Sequence, residues 1–465
     1  MNIARESFII TFLVNYAMER KLFGTDGIRG KANEYPMTPE IALRLGKALA
    51  TYLRKKKPSK KIKILIGKDT RLSGYMLESA LESGIVAMGA DVYLVGPMPT
   101  PAIAHLTKSI NADAGIVISA SHNPAQDNGI KIFDENGFKL TDEEEYKIEQ
   151  LIFAEEINGR NIGKAFRIDD AKGRYIEFAK ATINNQSLEG IKIVLDCANG
   201  AAYHIAPPIF AELGAEVISI NTNPNGLNIN KNCGALHPEK MQEMVKQCKA
   251  DIGFAFDGDA DRLVVCDESG KIIEGEFILG LLAKWFKENG MLRNNTLVTT
   301  MQSNLALDEF LNKEGIKVVR TAVGDRYVLQ EMLRGNYSLG GESSGHIIFA
   351  DYSTTGDGII SALQIMRILK LSKRKISELA YLFDLYPQIK INLPVKEKVP
   401  IKELKLVTEK IKEIENSLNN KGRVFVRYSG TEKKVRILVE GNCAKNELEN
   451  YAQSIAEAFK KEGIV

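Results

Sequence analysis

The sequence lacks the features that mark secreted, membrane-spanning or nucleic-acid-binding proteins. Its five cysteines are scattered and include no C-x-x-C pair, which suits a reducing cytosol where free thiols pack as small apolar groups. The apolar run at residues 8–14 is far shorter than the roughly 20 residues of a membrane-spanning helix. The formal net charge is only +3 and is evenly spread. We therefore expect a cytoplasmic protein whose partners include neither nucleic acid nor a membrane.

The length and composition indicate a globular protein of several domains. A chain of 465 residues is too long for one ordinary core, so three or four domains are expected. Apolar residues make up 44% of the chain and charged residues 26%, which is typical of a globular protein. Segments typical of strands alternate with segments typical of helices. This alternation predicts an α/β fold with mainly parallel sheets and helical crossovers.

The stretch GIVISASHNP at residues 115–124 changes character abruptly. Its β-branched first half predicts a buried strand, and the Asn-Pro pair at its end predicts a turn. The crevices of α/β sheets lie at the carboxyl ends of strands. Ser121 follows the predicted strand, with His122 beside it and Lys131 downstream. A serine hydroxyl with acid–base groups nearby is typical of a catalytic nucleophile. On spacing alone, an ordinary turn with local hydrogen bonds is the better interpretation.

A second stretch, DGDADR at residues 257–262, places carboxylates at three alternate positions, Asp257, Asp259 and Asp261. Three carboxylates stay close together only when a cation offsets their repulsion, and hard oxygen ligands suit Mg²⁺ or Ca²⁺. An EF-hand loop has similar spacing, but Arg262 stands where that loop needs glycine, and both flanks predict strands instead of helices. We therefore expect a metal site between two strands.

Three further stretches, at residues 21–30, 339–346 and 423–440, are rich in glycine, serine or arginine. The first follows no β-branched strand, so it is not a dinucleotide fingerprint, and a permissive turn would explain its glycines. The second has the composition of a flexible loop. The third flanks a tight loop with strands and gathers hydroxyls and guanidinium groups, which suit a phosphate dianion. A surface hairpin with incidental arginines is the alternative interpretation of the third.

Taken together, these five stretches resemble the signature motifs of the α-D-phosphohexomutases, and the resemblance covers nearly the whole chain beyond the first twenty residues. It implies that Ser121 carries a transferable phosphoryl group. His122 or Lys131 would supply the general acid and base, with His346 as a weaker candidate. Arg262 would lie beside the phosphate on the serine.

The resemblance also implies two sets of ligands. The expected ligands of one Mg²⁺ per subunit are Asp257, Asp259, Asp261 and the phosphorylated Ser121. The residues expected to bind the substrate are Arg29, Glu342, Ser344, His346, Arg427, Ser429, Gly430, Thr431 and Arg436. Ala260 stands where the family often has glycine, a departure that matters little unless its φ is positive.

Residues 228–234 and 347–358 resemble the branch of the family that acts on glucosamine phosphates, whereas Ser343 departs from the residue usual in that branch. The implied activity is an intramolecular phosphotransfer that interconverts glucosamine 6-phosphate and glucosamine 1-phosphate through a 1,6-bisphosphate, and so feeds the synthesis of UDP-N-acetylglucosamine and cell-wall precursors. A phosphomannomutase or phosphoglucomutase of the same family is the alternative. A metal-dependent phosphosugar hydrolase and a non-catalytic phosphosugar-binding protein are rival classes. The protein is expected to be a monomer or a homodimer.

The fold implied by the resemblance has three consecutive mixed α/β domains with largely parallel sheets, followed by a smaller C-terminal α+β domain, all around a central cleft. The expected division is an N-terminal extension at 1–20, a domain with the phosphoserine loop at 21–163, one with the metal loop at 164–271, one with the sugar-binding loop at 272–385, and one with the phosphate-binding loop at 386–465.

Overall fold

The computed structural model describes residues 20–24, 26–154, 159, 161–419, 421–429 and 433–465. Within these residues the chain forms four sheets, one after another, and helices pack against each of them. Apart from Arg20, the predicted extension at residues 1–20 lies outside the described residues. None of the described helices combines the length and the apolar character that a membrane crossing requires.

The first sheet is the largest and leads into the segment that bears Ser121. Its strands are β1 (Phe23–Gly24), β2 (Gly27–Lys31), β3 (Lys63–Lys68), β4 (Asp91–Pro97), β5 (Ala114–Ile118), β6 (Asp127–Asp134) and β7 (Ala165–Arg167). The helices of this part are α1 (Pro39–Lys56), α2 (Leu72–Ala87), α3 (Thr100–Ser109) and α4 (Asp142–Ile152). The strand order is β1-β2-β6-β5-β3-β4-β7. Every residue of β5 is buried, as expected for a central strand that helices cover on both faces.

The second sheet carries the aspartate loop between two of its strands. Its strands are β8 (Lys192–Asp196), β9 (Glu216–Ile220), β10 (Ile252–Phe256), β11 (Leu263–Asp267) and β12 (Ile272–Ile273), with helices α5 (Ala171–Ala181), α6 (Ala206–Glu212) and α7 (Glu239–Cys248). The strand order is β12-β11-β10-β8-β9, and β10 and β11 form an antiparallel pair. The strands predicted on both sides of the loop are therefore present, and the EF-hand is excluded. The preceding strand, β7, follows the expected boundary at 163 but pairs with β4 of the first sheet.

The third sheet is smaller and has helices before, between and after its strands. Its strands are β13 (Thr296–Thr300), β14 (Lys317–Thr321), β15 (Leu339–Gly341) and β16 (Ile347–Phe349). Its helices are α8 (Gly275–Glu288), α9 (Ala306–Lys313), α10 (Asp325–Gly335), α11 (Gly358–Ser372) and α12 (Ile376–Ala380). The strand order is β14-β13-β15-β16, with parallel pairs between β13 and both of its neighbours. The connection from β15 to β16 contains the Glu342–His346 loop.

The last part of the chain has a core of its own. Strands β17 (Gln388–Pro394), β18 (Gly422–Tyr428) and β19 (Lys434–Gly441) form an antiparallel sheet on which α13 (Lys405–Leu418) and α14 (Lys445–Lys461) pack. The buried apolar residues of this part form a separate cluster. In contrast, one continuous apolar cluster draws residues from all three preceding sheets and their helices. This architecture confirms the predicted fold class.

Asp357 is a buried carboxylate at the start of α11, and it gives the fold a defined response to pH. Its Oδ1 accepts a hydrogen bond from the Ile360 N–H at 2.9 Å, and its Oδ2 accepts one from the Tyr175 hydroxyl at 2.7 Å. Burial raises the pKa of Asp357 to about 6. The folded protein therefore keeps this proton at pH values at which the unfolded chain has lost it. Below about pH 4 the protonated group contributes its full stability to the fold. As the pH rises through about 6, the free energy of unfolding falls by about 3 kcal/mol.

Asp357→Asn should remove this part of the pH dependence, because an amide does not titrate and can still cap the helix. We expect the variant to gain stability relative to the wild type by about 3 kcal/mol between pH 4 and pH 7. Urea-unfolding midpoints of both proteins across this range measure the difference. A difference that stays constant with pH would contradict the burial of an ionisable carboxyl at this position.

Candidate active site

Ser121 lies in the loop after β5 and has an unusual backbone conformation. Its φ is +52°, in the left-handed region, which costs a residue with a side chain about 1 kcal/mol or more. The side chain is buried, and its Oγ donates a hydrogen bond to Asp257 Oδ2 at 2.6 Å. Ser121 Oγ also lies 3.3 Å from Nδ1 of His122. The serine of the first part of the chain therefore contacts the aspartate loop of the second part directly.

The three aspartates between β10 and β11 form a compact, buried cluster. One carboxylate oxygen from each of Asp257, Asp259 and Asp261 lies within 4.8 Å of the others. Burial and repulsion from Asp261 and Asp259 raise the pKa of Asp257 well above its ordinary value. Burial would also raise the pKa of Asp261, but Lys131 and His346 hold it well below its usual range. The cluster is therefore strained electrostatically in the absence of further positive charge.

Unsatisfied carboxylate oxygens show that this cluster fits a divalent cation. Oδ1 of Asp259 and Oδ1 of Asp261 are buried and have no hydrogen-bond partner in the described part of the chain. Buried polar atoms normally have a partner, and a hard cation takes carboxylate oxygens as ligands. Such an ion would satisfy both oxygens and offset the repulsion among the three charges.

Ala260, in the middle of this loop, has a φ of +56°. Because this φ is positive, the replacement of the family's usual glycine by alanine affects the energy of the loop. The left-handed conformation costs alanine about 1 kcal/mol relative to glycine. Ala260 is fully buried within the large apolar cluster, and burying the methyl group contributes about 0.8 kcal/mol in the opposite direction. The two effects nearly cancel.

Lys131 supplies positive charge beneath the aspartates. It is buried on β6, and its Nζ lies 3.3 Å from Asp259 Oδ2, 3.3 Å from Asp26 Oδ2 and 3.6 Å from Asp261 Oδ2. Burial would lower the pKa of Lys131, but Asp259 and Asp26 raise it above its ordinary value. Lys131 therefore acts as a fixed cation within a network of carboxylates, and it is not among the residues that line the cavity described below.

His122 and Arg262 both line the cavity described below. Burial, together with the positive charges of Arg262 and Arg29, lowers the pKa of His122 to about 4. The imidazole is therefore neutral near pH 7 and can accept a proton. The backbone N–H of Arg262 donates a hydrogen bond to Asp257 Oδ1 at 3.1 Å. This bond fixes the end of the aspartate loop and leaves the guanidinium facing the cavity.

The sugar-binding loop expected at residues 339–346 reaches the cavity with two of its three predicted residues. Glu342 and His346 line the cavity, whereas Ser344 is exposed and is not part of its wall. Oε1 of Glu342 accepts a hydrogen bond from the Gly324 N–H at 3.2 Å. Nε2 of His346 accepts one from the Gly356 N–H at 3.0 Å. The ring proton of a neutral His346 is therefore on Nδ1, which lies 3.7 Å from Asp261 Oδ1.

The predicted phosphate-binding loop contributes two arginines to the same cavity. Arg427 at the end of β18, Ser429, and Arg436 on β19 line the cavity, while Gly430 and Thr431 lie outside the described residues. Burial and the like charge of Arg436 lower the pKa of Arg427. Two cationic side chains directed at one cavity form a site for an anion.

The cavity itself has a volume of about 620 Å³ and receives residues from the first three sheets and from the C-terminal part. Of the predicted site residues, those that line it are Arg29, Ser121, His122, Asp261, Arg262, Glu342, His346, Arg427, Ser429 and Arg436. Asp257, Asp259 and Lys131 lie behind the wall, in contact with it. A single cavity thus joins the serine and aspartates to the arginine loop.

Sequence reasoning missed several residues that shape this cavity. Asp26 and Asp325 line it, and Lys139 bridges them, with Nζ at 2.5 Å from Asp26 Oδ1 and 2.6 Å from Asp325 Oδ2. At the rim, Arg326 contacts Glu145 of α4 at 3.3 Å. Asp325 and Arg326 stand in a stretch with a recognisable family pattern, GDRY at 324–327, and that pattern was the available signal.

Profiles of one protein family match nearly all of the chain. The profiles described as Phosphoglucomutase/phosphomannomutase, alpha/beta/alpha domains I, II and III match residues 20–158, 173–270 and 274–386. The C-terminal domain of the same family matches residues 391–458. The chain belongs to the phosphoglucomutase/phosphomannomutase family. This assignment confirms the membership predicted from the motifs.

Individual members of the family are similar over nearly their full length. A phosphoglucosamine mutase of Geobacter sp. (strain M21) is 52% identical over 448 residues, which are 95% of this chain and 98% of that protein. A phosphoglucosamine mutase of Thermodesulfovibrio yellowstonii is 55% identical over 428 residues, which are 90% and 95% of the two chains. These relatives confirm the predicted similarity to the glucosamine branch.

Solved structures of the family share the fold. A phosphoglucomutase/phosphomannomutase family protein from Burkholderia thailandensis superposes with a TM-score of 0.78 at 24% identity, covering 95% of this chain and 97% of that one. An Aspergillus fumigatus N-acetylphosphoglucosamine mutase, solved in complex with GlcNAc-6P and magnesium, gives a TM-score of 0.69 at 20% identity, covering 96% of each chain.

The aspartate cluster predicts a stability response to divalent cations that depends on Asp257. In EDTA, Asp257→Asn should melt at the same temperature as the wild type or higher, because it removes one of three mutually repelling charges. Its amide oxygen can still accept from the Arg262 N–H, and its amide nitrogen can donate to Ser121 Oγ. Mg²⁺ at about 100 times its Kd should stabilise the wild type by about 2.7 kcal/mol and the variant much less. Thermal unfolding with EDTA and with a MgCl₂ series measures both effects.

Asp251→Asn, just before β10 and outside the cluster, is the matched control, and it should keep the full response to Mg²⁺. Equal shifts in the Asp257→Asn protein and in this control would mean that the ion binds elsewhere on the protein.

Proposed function

We propose that the protein interconverts glucosamine 6-phosphate and glucosamine 1-phosphate by means of a phosphoryl group carried on Ser121. The observation that carries the proposal is the 2.6 Å contact between Ser121 Oγ and Asp257 Oδ2, at a cavity that Ser121 lines together with Arg427 and Arg436. One end of the cavity therefore suits transfer of a phosphoryl group, and the other suits the binding of a second phosphate. The names of relatives at 52% and 55% identity support glucosamine as the sugar.

The reaction consists of two transfers in opposite directions. In the first, the bond between phosphorus and Ser121 Oγ breaks, and a bond from phosphorus to the free hydroxyl oxygen of the hexosamine monophosphate forms. The proton of that hydroxyl passes to a general base. The resulting 1,6-bisphosphate turns around in the cavity. Its other phosphoryl group then returns to Ser121 Oγ, and the general acid gives its proton to the oxygen of the leaving product.

His122 is the residue that we assign as the acid and base, because it lines the cavity and lies 3.3 Å from Ser121 Oγ. Lys131, the other residue predicted for this role, lies behind the wall among the aspartates. Its fixed charge suits it better to neutralising those carboxylates. Arg262 faces the cavity beside the serine and would neutralise charge on the transferring group.

The remaining predicted residues hold the sugar and its second phosphate. Arg427, Ser429 and Arg436 would bind the phosphate that is not being transferred, and Arg29 the phosphate near the serine. Glu342 and His346 line the same cavity and would contact the sugar hydroxyls in either orientation. Gly430 and Thr431 belong to the predicted anchor, and Ser344 would need to turn towards the substrate to contribute.

We propose one Mg²⁺ as the cation, with Asp257, Asp259, Asp261 and the phosphate on Ser121 as its ligands. The all-oxygen donor set and the two unsatisfied carboxylate oxygens support a hard divalent ion. When bound, Mg²⁺ supplies positive charge against the negative charge of the transferring phosphoryl group. The expected domain boundaries at 163, 271 and 385, the cytoplasmic location and the monomeric or homodimeric state stay predictions.

Ser121→Ala should abolish both phosphorylation of the protein and mutase turnover. Without the serine oxygen there is no covalent carrier, so the rate should fall by at least about 10³-fold. Incorporation of labelled phosphate from the 1,6-bisphosphate, and a coupled assay of isomerisation, measure the two losses. Ser83→Ala, on the exposed face of α2, is the control and should match the wild type. Normal turnover by the Ser121 variant would exclude a phosphoserine mechanism.

A panel of sugar phosphates should separate the proposed reaction from its rivals. We expect kcat/KM to be highest for glucosamine phosphate, lower for glucose and mannose phosphates, and release of free phosphate to be negligible beside isomerisation. A preference for mannose or glucose phosphates would favour the alternative activity within the family. Stoichiometric release of phosphate without isomer would instead indicate a phosphosugar hydrolase.

A further inference from the structure

The peptide of Ser121 is held in its left-handed conformation by a fully buried arginine of the first domain. Arg71 is 0% exposed, although arginine is rarely buried without partners. Its Nη2 donates hydrogen bonds to the carbonyl oxygens of Ser121 at 3.0 Å and of Asn123 at 2.8 Å. Its Nη1 donates to the carbonyl oxygens of Pro124 and of Asp127, the latter at 3.0 Å. One guanidinium thus binds four carbonyls of a single loop.

Asp69 completes this arrangement on the other side of the serine. Its Oδ2 accepts hydrogen bonds from Arg71 Nε at 2.8 Å and from Ser119 Oγ at 2.7 Å. Ser119 Oγ in turn accepts one from the Ser121 N–H at 2.9 Å. The amide and the carbonyl of Ser121 are therefore both fixed by one connected network, which offsets the cost of its positive φ.

A residue of the second domain binds the same two carbonyls. Asn230, in the loop between β9 and α7, donates from Nδ2 to the Ser121 carbonyl at 2.9 Å and to the Asn123 carbonyl at 3.0 Å. Each carbonyl oxygen thus accepts one hydrogen bond from Arg71 and one from Asn230. These two bonds use both lone pairs of the oxygen. Asn230 is itself buried and anchored, because its N–H donates to the Ala198 carbonyl at 2.9 Å.

This contact joins the two halves of the reacting centre. Ser121 belongs to the first domain and the aspartates that contact it belong to the second, so their separation depends on how the two domains fit together. Gly258 of the aspartate loop packs against this junction, and a Cβ there would lie 2.6 Å from the Ser121 carbonyl oxygen and 2.9 Å from Asn230 Nδ2. The serine backbone, the asparagine amide and the aspartate loop are therefore in direct contact with one another.

We propose that Asn230 is a positioning residue, which holds the phosphoserine loop in register with the aspartate loop. The inference rests on the proposed phosphoserine mechanism. Asn230 is not among the residues that line the cavity, so we expect it to act through the serine loop and not through contact with the substrate. Phosphoryl transfer depends on the placement of the reacting atoms, and a misplacement of about 1 Å can cost about 100-fold in rate. Loss of this amide should therefore lower kcat without weakening substrate binding.

Asn230→Gly isolates the side-chain amide from the backbone. Asn230 has a φ of +59°, which glycine adopts without strain, so the substitution removes the two hydrogen bonds and keeps the loop conformation. The matched control is Asn232→Gly, two residues further along the same loop. Asn232 also has a positive φ, of +52°, but is exposed. Both variants lose an asparagine side chain from a left-handed position, and only one loses contact with the serine loop.

We expect Asn230→Gly to lower kcat by about 10- to 100-fold while KM for glucosamine phosphate stays within about twofold of the control. The single-turnover rate of phosphoryl transfer from the phosphorylated protein to substrate should fall by the same factor as kcat. Asn230→Asp, which directs a carboxylate at two carbonyl oxygens, should be slower still. All rates are measured well below the melting temperatures, so that loss of folded protein does not contribute.

Two results would overturn the positioning role. One is a kcat of Asn230→Gly within twofold of Asn232→Gly. The other is a rise in KM with kcat unchanged, which would place Asn230 in substrate binding. These results are distinct from failure of the proposed function, which would show as continued phosphate incorporation and turnover in Ser121→Ala. A normal kcat in an Asn230→Gly protein that is still phosphorylated on Ser121 rejects the positioning role alone.

Discussion

The repulsion among three buried carboxylates beside Ser121 is the constraint on which the rest of the structure depends. Asp257, Asp259 and Asp261 come within 4.8 Å of one another, and such a cluster folds only when its charge is offset from nearby. Lys131 lies beneath it and Arg262 beside it. Lys131 is held in place by β6, and Arg262 by its position directly before β11 and by the hydrogen bond from its N–H to Asp257. The aspartate loop therefore needs these positive charges around it even without a substrate. The same positive charges also favour the binding of a negatively charged phosphoryl group.

The two ends of the cavity are supported in different ways. The transfer end is built on three sheets that share one continuous apolar core, so Ser121 and the aspartates are fixed by packing as well as by hydrogen bonds. The arginine end belongs to a part with its own core, which meets the third domain through polar contacts such as Arg423 Nη2 with the Ser303 carbonyl at 2.7 Å. Transfer needs accurate placement, whereas binding of a phosphate dianion by two arginines tolerates more variation.

Much of the fold and the centre of the site could be predicted from the sequence, because local patterns determine them. The strands around the aspartate loop follow from short apolar runs, and the serine loop and aspartate loop are each continuous in sequence. What could not be predicted are contacts between distant residues, such as Lys139 with Asp325, which lie 186 positions apart. Ser344 is an example in which a motif predicts more than the structure shows. Its motif predicts a contact with the substrate, but its side chain is exposed. The sequence also did not reveal backbone conformation, as the positive φ of Ala260 shows.

The unpredicted residues share a physical role that explains why motifs do not reveal them. Arg71 and Lys139 act on backbone carbonyls or on other charged side chains and not on a ligand, so any residue with a suitable donor in the right place could serve. Asn230 lies within the family-like stretch at 228–234, but that stretch does not reveal that its side chain binds the serine loop. Thr100 is similar, because its Oγ1 donates to Asp259 Oδ2 at 2.6 Å across a separation of 159 residues. Chemistry at the phosphorus atom demands particular residues, and these form motifs. Holding those residues in register demands only donors at the domain junctions, and only the folded chain shows where the junctions lie.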